Sequence, residues 1–207
     1  MDRKTLLVGL GSLLLILLVA GGGVFFARPA SFLGTTYGEP YPVASEIELS
    51  RSDGSIFRLS EMRGDIVLLF FGYTSCPDVC PTTLAELKQA LAELKEEDVA
   101  RVKVVFITVD PVRDTPERVQ DYVDHFNTAF IGLSGPQAEL EKIWRAYGVS
   151  SESVPGESAA SYIVNHTART TLIDPQGNMR ISFSYDTAVE TIVHDLKLML
   201  KSQPDRQ

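Results

Sequence analysis

Two short stretches of the chain are almost continuously apolar. They are Ile66–Phe71, which reads IVLLFF, and Val102–Val109, which reads VKVVFITV. Apolar runs of this length are typical of strands that are covered on both faces of a sheet. We therefore predict two buried strands.

Elsewhere the apolar residues recur every three or four positions, as they do along one face of a helix. A leucine pattern of this kind lies between the two buried strands and predicts a helix there. It consists of Leu84, Leu87, Leu91 and Leu94. Three more helices are predicted over residues 115–126, 136–149 and 188–200.

Turn-forming residues separate the remaining predicted strands. IELS and FRLS flank Asp53-Gly54 and predict a hairpin. A second hairpin is predicted from Tyr162–Ile173 and Met179–Tyr185 around the turn DPQGN, and a short strand at Phe130–Leu133. This order of strands and helices predicts an α/β fold with a mixed central sheet.

The N-terminal region has a different pattern. Between Lys4 and Arg28 lie 23 residues without a charge; as a helix they would extend about 34 Å and could cross a bilayer core of about 30 Å. We predict one retained membrane helix, with a cleaved signal peptide as the alternative because Ala20-Gly21-Gly22 offers small residues for cleavage. Arg3 and Lys4 before the helix favour an N-terminus inside and a domain outside. Because the segment has no Arg- and Ser-rich run of the kind found in organelle transit peptides, we predict a single-pass protein of the bacterial inner membrane, with its domain facing the periplasm or another extracytoplasmic space.

These patterns divide the 207 residues into three predicted parts. Residues 1–28 form a membrane anchor or signal segment, residues 29–41 form a linker, and residues 42–207 form one domain. A hydrophobic content of 44% is sufficient for a sizeable core. The net charge of −8 argues against a nucleic-acid partner, because phosphate contacts need clustered Lys and Arg.

The chain's two cysteines lie directly after the first buried strand. The segment reads FGYTSCPDVCPTTL, so that three residues separate Cys76 from Cys80. Amide groups at the start of the following helix would stabilise a thiolate, and an offset of four puts both sulfurs on one side if the segment is helical. A disulfide that only staples the fold is disfavoured, since a loop of three residues removes little chain entropy.

Three kinds of chemistry remain open for this pair. A thioredoxin-type redox couple normally has two intervening residues, whereas this pair has three. Val79-Cys80-Pro81-Thr82 resembles the cysteine segment of the peroxiredoxins, but Pro77 stands where that family has Thr or Ser. The third reading is a metal site, which needs a further ligand such as histidine.

The chain has three histidines. His125 and His194 lie in predicted helices with ordinary neighbours, and we expect no ligand role for them. His166 follows a strand-like segment and the polar loop SSESVPGESAAS, which is a more common setting for functional residues. On position alone, a structural role is still the expectation for His166 as well.

Three segments closely resemble, in order and spacing, the Sco/SenC family of copper-binding assembly factors: YTSCPDVCPTTL, TVDPVRDTPE and YIVNHTARTTLIDPQG. The resemblance covers nearly all of Tyr41–Leu200. It implies a thioredoxin-like (peroxiredoxin-like) fold and a copper site formed by Cys76, Cys80 and His166. It also implies a metallochaperone that serves the binuclear copper centre of cytochrome c oxidase subunit II, or another copper oxidase subunit.

The chemistry of this ligand set agrees with copper. Two thiolates and one imidazole are soft donors that suit Cu(I), and Cu(II) can be held if water or another group completes a more tetragonal site. Two acidic residues are candidates for a supporting role near the ligands. Asp78 lies between the cysteines, and Asp110 follows the second buried strand, where α/β sheets gather functional groups.

The alternative function is enzymatic. A thiol-disulfide reductase would use Cys76 and Cys80 without metal to keep the client's copper-binding cysteines reduced, with one thiolate attacking and the other resolving. A thiol reductant would then be a partner. The two functions differ at His166, because thiol exchange should survive its loss and tight copper binding should not.

Overall fold

A computed structural model describes Asp2 and residues 31–155 and 162–202 of the protein. The predicted membrane helix lies outside the described residues. Within the described ranges, no helix is both long enough and apolar enough to cross a membrane. The described residues from Phe32 onwards belong to one compact unit.

The described part of the chain contains ten strands and five α-helices. The strands are β1 (Thr35–Thr36), β2 (Glu48–Ser50), β3 (Ile56–Arg58), β4 (Ile66–Gly72), β5 (Val102–Thr108), β6 (Ile131–Leu133), β7 (Ser151–Pro155), β8 (Tyr162–His166), β9 (Arg169–Ile173) and β10 (Met179–Ser184). The helices are α1 (Val79–Ala92), α2 (Glu96–Val99), α3 (Pro116–Asp124), α4 (Gln137–Ala146) and α5 (Val189–Lys201).

Six strands form the central sheet in the order β1-β10-β9-β4-β5-β6. β4 and β5 are parallel, as are β5 and β6, whereas β9 is antiparallel to both β4 and β10. The prediction of an α/β fold with a mixed central sheet is therefore confirmed. The first predicted hairpin is also present, with β2 paired to β3 so that Leu49 faces Phe57.

The core is built around the two predicted buried strands. Every residue of β4 is buried, and in β5 only Lys103 is not. Helix α1 buries the face that carries Leu84, Leu87 and Leu91, as the leucine spacing predicts. Because β4 is covered on both faces, the turn that follows it begins in the interior of the domain.

One strand prediction is wrong. Tyr162–Ile173 is not a single arm of a hairpin, because the chain is divided there into β8 and β9. β9 pairs with β10 and β4, whereas β8 pairs with β7 in a separate two-stranded sheet. In β8 only Val164 is buried, so this segment contributes little apolar surface to the central core.

The segment predicted as a linker contributes an edge strand to the central sheet. Thr35 and Thr36 of β1 pair with β10. The preceding turn is held by the buried carboxylate of Asp195, which accepts hydrogen bonds from the amides of Leu33 and Gly34 at 2.8 Å each. The strand could not be predicted from its own sequence, which has few large aliphatic residues. Its partner strand and the carboxylate that holds it lie about 150 residues away in sequence.

Candidate metal centre

The cysteines lie where the central strand passes into the first helix. β4 ends at Gly72, a turn follows, and Cys80 lies in the first turn of α1. The Cys80 side chain is fully buried, whereas Cys76 is half-buried in the turn. The Cys80 amide donates a hydrogen bond to the sulfur of Cys76 at 3.4 Å. The helix start therefore presents a backbone donor to Cys76, as the sequence predicts.

Gly72 makes room for the buried sulfur. A Cβ atom at this position would lie 2.7 Å from Cys80 Sγ and 2.8 Å from Cε2 of Phe106. Contacts that short do not occur between real atoms of this kind, so a side chain would displace the sulfur or the ring. A glycine in a strand of otherwise large apolar residues thus marks the close approach of Cys80 to β4.

His166 reaches the cysteines from the end of β8. Its Nε2 atom lies 3.7 Å from Cys80 Sγ. Its Nδ1 atom lies 3.2 Å from the carbonyl oxygen of Thr167, which can only accept, so Nδ1 carries the proton in this contact. Nε2 is then free to act as a ligand, and the imidazole ring is further oriented by an edge-on contact with Tyr73 at 5.8 Å between centroids.

The three side chains can hold one ion. The two sulfurs and the imidazole nitrogen all lie within 4.8 Å of one another. Beside them is a cavity of about 220 Å³, lined on one side by Tyr73, Cys76 and Pro77 and on the other by residues of β8. The structure therefore brings together the three predicted ligands, with Cys80 beneath the others and Cys76 at the surface.

The two thiols differ in their electrostatic setting. The pKa of Cys76 is lowered, chiefly by a hydrogen bond from the Cys80 thiol, and further by His166 and by backbone amides at the start of α1. The pKa of Cys80 is raised, first by its hydrogen bond to Cys76 and then by burial. Cys76 is thus the thiolate of the metal-free pair, and Cys80 is its proton-bearing partner.

A buried carboxylate that the sequence did not single out holds the cysteine turn. Asp114 is fully buried and accepts hydrogen bonds from Thr74 N at 2.9 Å, Thr74 Oγ1 at 2.6 Å and Thr108 Oγ1 at 2.7 Å. Arg118 lies 3.7 Å from the same carboxylate and donates to Thr74 and Ser75. Asp114 therefore links the turn before Cys76 to the end of β5.

Asp110 supports the histidine side of the site. It is 4% exposed, pairs with the guanidinium of Arg113 and accepts a hydrogen bond from the Tyr162 hydroxyl at 2.6 Å. Tyr162 is the first residue of the strand that ends in His166. Asp110 also lines a larger cleft of about 470 Å³. Cys76, Cys80 and His166 do not line that cleft, so the cavity of about 220 Å³ is the one that adjoins the candidate metal centre.

Asp78 lies in the exposed position before α1, and its side chain makes no capping hydrogen bond to the helix. Its backbone amide is one of the groups that lower the pKa of Cys76. The other two histidines are separate from the site. His125 Nδ1 contacts the carbonyl of Asp121 at 2.6 Å, and His194 Nδ1 contacts Asp195 Oδ1 at 2.9 Å.

Known proteins are similar to this chain over most of its length. The sequence model of the family described as SCO1/SenC matches residues 35–201. A SCO2-like protein from Rickettsia felis is 32% identical over 194 residues, which cover 93% of this chain and 92% of that protein.

Two solved structures have the same thioredoxin-like fold. The solution structure of apo Sco1 from Thermus thermophilus is 38% identical, with a TM-score of 0.73 over 81% of this chain and 96% of that one. The structure of Bradyrhizobium japonicum ScoI with copper bound is 35% identical, with a TM-score of 0.68 over 76% of this chain and 99% of that one. The fold prediction is therefore confirmed at the level of family as well as class.

Proposed function

The chain belongs to the SCO1/SenC family, and on this premise we propose that it is a chaperone that binds one copper ion through Cys76, Cys80 and His166. The observation that carries the proposal is the convergence of two sulfurs and one imidazole nitrogen within 4.8 Å. In the described ranges this is the one such cluster of three or more His, Cys, Asp or Glu side chains. The copper-bound relative from Bradyrhizobium japonicum supports copper as the metal.

The donor set favours Cu(I) over structural zinc. Thiolate and imidazole ligands are soft, and Cu(I) accepts three of them. Structural zinc is almost always held by four protein ligands, and no fourth His, Cys, Asp or Glu joins this cluster among the described residues. Cu(II) would need water or a further group, for which the adjoining cavity has room.

The position of the ligands suits transfer rather than storage. Cys76 is half-buried and lines the cavity together with His166, so an incoming ligand can approach copper from that side. Cys80 remains behind them in the core. An exposed ion with three protein ligands can pass to a partner by ligand exchange without unfolding of the donor.

We further propose that the protein is anchored in the inner membrane, with its domain outside the cytoplasm, and that it serves cytochrome c oxidase subunit II or another copper oxidase subunit. The location is supported by the uncharged segment between Lys4 and Arg28. The client follows from what the family resemblance implies.

Copper binding by the purified, reduced protein under anaerobic conditions tests the central step. We expect one Cu(I) per chain in competition with a Cu(I) chelator. Replacement of both cysteines by serine should abolish this binding, and His166→Ala should weaken it by about a hundredfold. His125→Ala is the matched control, since that imidazole contacts the Asp121 carbonyl and is not part of the ligand cluster, and it should bind as the wild type does. Binding that is unaffected by His166→Ala would contradict the three-ligand site.

The client is tested separately, in cells. Deletion of the gene at limiting copper should leave the oxidase subunit without its copper, and added copper should restore it in part. Unchanged copper content of the oxidase would contradict the proposed client. The copper-binding site would not be affected by that result, because the chelator titration tests it separately.

The second candidate function is thiol-disulfide exchange, which the unequal cysteines favour. The Cys76 thiolate would attack one sulfur of a client disulfide, which breaks the client S–S bond, forms a mixed disulfide and releases the other client sulfur as a thiolate. The Cys80 thiol would then displace the client's sulfur as a thiol, leaving Cys76–Cys80 oxidised until a thiol reductant restores the pair. The lowered pKa of the accessible Cys76 and the raised pKa of buried Cys80 suit these roles.

Reduction of a model disulfide by the metal-free protein separates the two functions. If the wild type binds no copper against the chelator but reduces the disulfide, and His166→Ala reduces it equally well, the reductase replaces the chaperone. If copper binds tightly and prevents reduction of the model disulfide, the main role of the two thiols is to bind the metal.

A further inference from the structure

The strand that carries His166 has weak support from its own sheet. β8 pairs with β7 in a sheet of two strands, and neither is paired with the six-stranded sheet in the described part of the chain. A two-stranded hairpin is marginally stable in water unless it packs against something else. Of the five side chains in β8, only Val164 is buried. Besides Val164 and the ring contacts of His166 with Phe70 and Tyr73, the position of His166 therefore depends on polar contacts at the two ends of the strand.

Polar contacts between Ser150 and Thr167 hold the end of β8 at which His166 lies. Thr167 N donates to the carbonyl of Ser150 at 3.2 Å, and Ser150 N donates to Thr167 Oγ1 at 3.2 Å. β9 begins two residues later and belongs to the central sheet. These contacts hold the chain after His166, but they leave the direction of β8 to be set at its start.

The start of β8 is held by Asp110 and Arg113. The Tyr162 hydroxyl donates to Asp110 Oδ1 at 2.6 Å, and Arg113 NH1 donates to the Tyr162 carbonyl at 3.0 Å. The guanidinium also lies over the Tyr162 ring, 3.7 Å from its centroid, and pairs with the second carboxylate oxygen of Asp110. The start of β8 is thus held through both the backbone and the side chain of Tyr162.

The same loop also contacts the cysteine side. The Arg113 guanidinium lies 5.5 Å from the ring centroid of Tyr73, which in turn packs edge-on against His166. Asp114, the next residue, holds the turn before Cys76. The segment after β5 therefore contacts the supports of His166 and of Cys76.

We propose that Tyr162 and Arg113, held in place by Asp110, are positioning residues that set His166 at its distance from the two cysteines. The proposal deepens the copper-binding function and rests on it. None of the three side chains is itself a ligand; they act on the metal through the direction of β8. Removal of the Tyr162 hydroxyl leaves the ring and its contacts with Arg113 in place, but it removes the hydrogen bond to Asp110 that helps to hold the start of the strand.

A double-mutant cycle tests this claim. Cu(I) affinity is measured for the full chain, reduced and anaerobic, as wild type, Tyr162→Phe, His166→Ala and the double variant. We expect Tyr162→Phe to weaken binding about tenfold, which is the lower end of the effect of removing a group that orients a metal ligand. In the His166→Ala background the same change should have no further effect, because the residue acts through the histidine.

Tyr147→Phe is the matched control. It also removes a tyrosine hydroxyl that donates to an oxygen at short distance, Ser45 O at 2.5 Å, but this contact lies away from β8. It should leave copper affinity unchanged. Copper affinity of Tyr162→Phe equal to that of the wild type, or an equal loss in both histidine backgrounds, would overturn the positioning role.

Hydrogen exchange of the metal-free protein gives a readout that does not depend on copper. Tyr162→Phe should raise exchange of the β8 amides and leave the α1 amides as they are in the wild type. Unchanged protection of β8, or equal loss in β8 and α1, would contradict the proposal. If the wild type binds no copper but β8 loses protection selectively, the copper function fails while the structural role of Tyr162 is retained.

Discussion

The two sides of the candidate metal centre are held by the fold in different ways. The cysteines lie between β4 and α1, and their turn is hydrogen-bonded to the buried carboxylate of Asp114. His166 ends a strand that belongs to a separate two-stranded sheet. The sulfur side is thus anchored in the core through Cys80, whereas the histidine side is a hairpin attached to the core through Val164, the ring contacts of His166 and a few polar contacts.

This difference suggests how a carrier can bind copper and also release it. A sulfur pair fixed in the core gives a preformed site that pays little ordering entropy when the metal binds. A histidine on a less strongly held strand can leave the metal at a smaller cost than either sulfur can. On the proposed function, the histidine is then the ligand that a client would displace first.

The largest effect is expected on the sulfur side, from Asp114→Ala. The change leaves Thr74 N and two hydroxyl groups without their buried acceptor, and we expect a loss of about 3 kcal/mol in the free energy of unfolding. Urea denaturation of the metal-free protein measures it. Asp121→Ala, an exposed carboxylate on α3, is the control. For Tyr162→Phe we expect a loss of about 1 kcal/mol. A loss no larger than this in Asp114→Ala would mean that the sulfur side is not held more strongly than the histidine side.

The next effect concerns the two cysteines themselves. In the metal-free protein, iodoacetamide should modify Cys76 on the order of a hundredfold faster than Cys80 near neutral pH, because only the thiolate reacts and the two pKa values are shifted in opposite directions. The pKa of Cys76 is lowered, so its reactivity should persist as the pH falls below the usual thiol range and be lost only near the lowered value. His166→Ala removes one of the side chains that lower the pKa of Cys76, so the profile should move to higher pH.

Mass spectrometry of each cysteine peptide across a pH series gives these rates. The urea-unfolded chain is the control, and there both cysteines should react with the ordinary thiol profile. Equal rates and equal profiles in the folded protein would show that the fold does not distinguish the two sulfurs.

A smaller loss is expected from Gly72→Ala. The added Cβ would meet Cys80 Sγ at 2.7 Å, and relief of that contact must move the sulfur or Phe106. We expect about 2 kcal/mol of destabilisation, together with weaker Cu(I) binding, in parallel urea and chelator titrations. Gly38→Ala is the control, because nothing lies within 4 Å of its added Cβ. An alanine variant with wild-type stability would mean that Cys80 is not packed against β4.

The smallest effect is expected from Asp78→Asn. This carboxylate is exposed and makes no capping hydrogen bond, so its loss should change stability by less than about 0.5 kcal/mol. Copper stoichiometry should stay at one per chain. A marked fall in copper affinity, measured by the same chelator titration, would give Asp78 a direct part in the site.

The sulfur side could be predicted from the sequence because its pattern is local. The apolar run of β4, the leucine spacing of α1 and the cysteines between them all lie within 30 residues. Each element has the periodicity of its own structure, and the site follows from their order. The choice of His166 as the third ligand came from the family resemblance, not from periodicity.

The histidine side could not be predicted in the same way because its contacts are distant in sequence. β7 reads SESVP and has no apolar period, so nothing local marks it as the partner of β8. Tyr162 meets Asp110 from 52 positions away, and Thr74 meets Asp114 from 40. Sequence alone does not tell which of several aspartates becomes buried, since burial depends on what the rest of the fold places around it.

X-ray absorption at the copper edge of the Cu(I)-loaded protein tests the central claim most directly. We expect a three-coordinate ion with two sulfur neighbours and one nitrogen neighbour, and loss of the nitrogen contribution in His166→Ala. Copper bound by sulfur alone in the wild type, or an unchanged spectrum in His166→Ala, would contradict it.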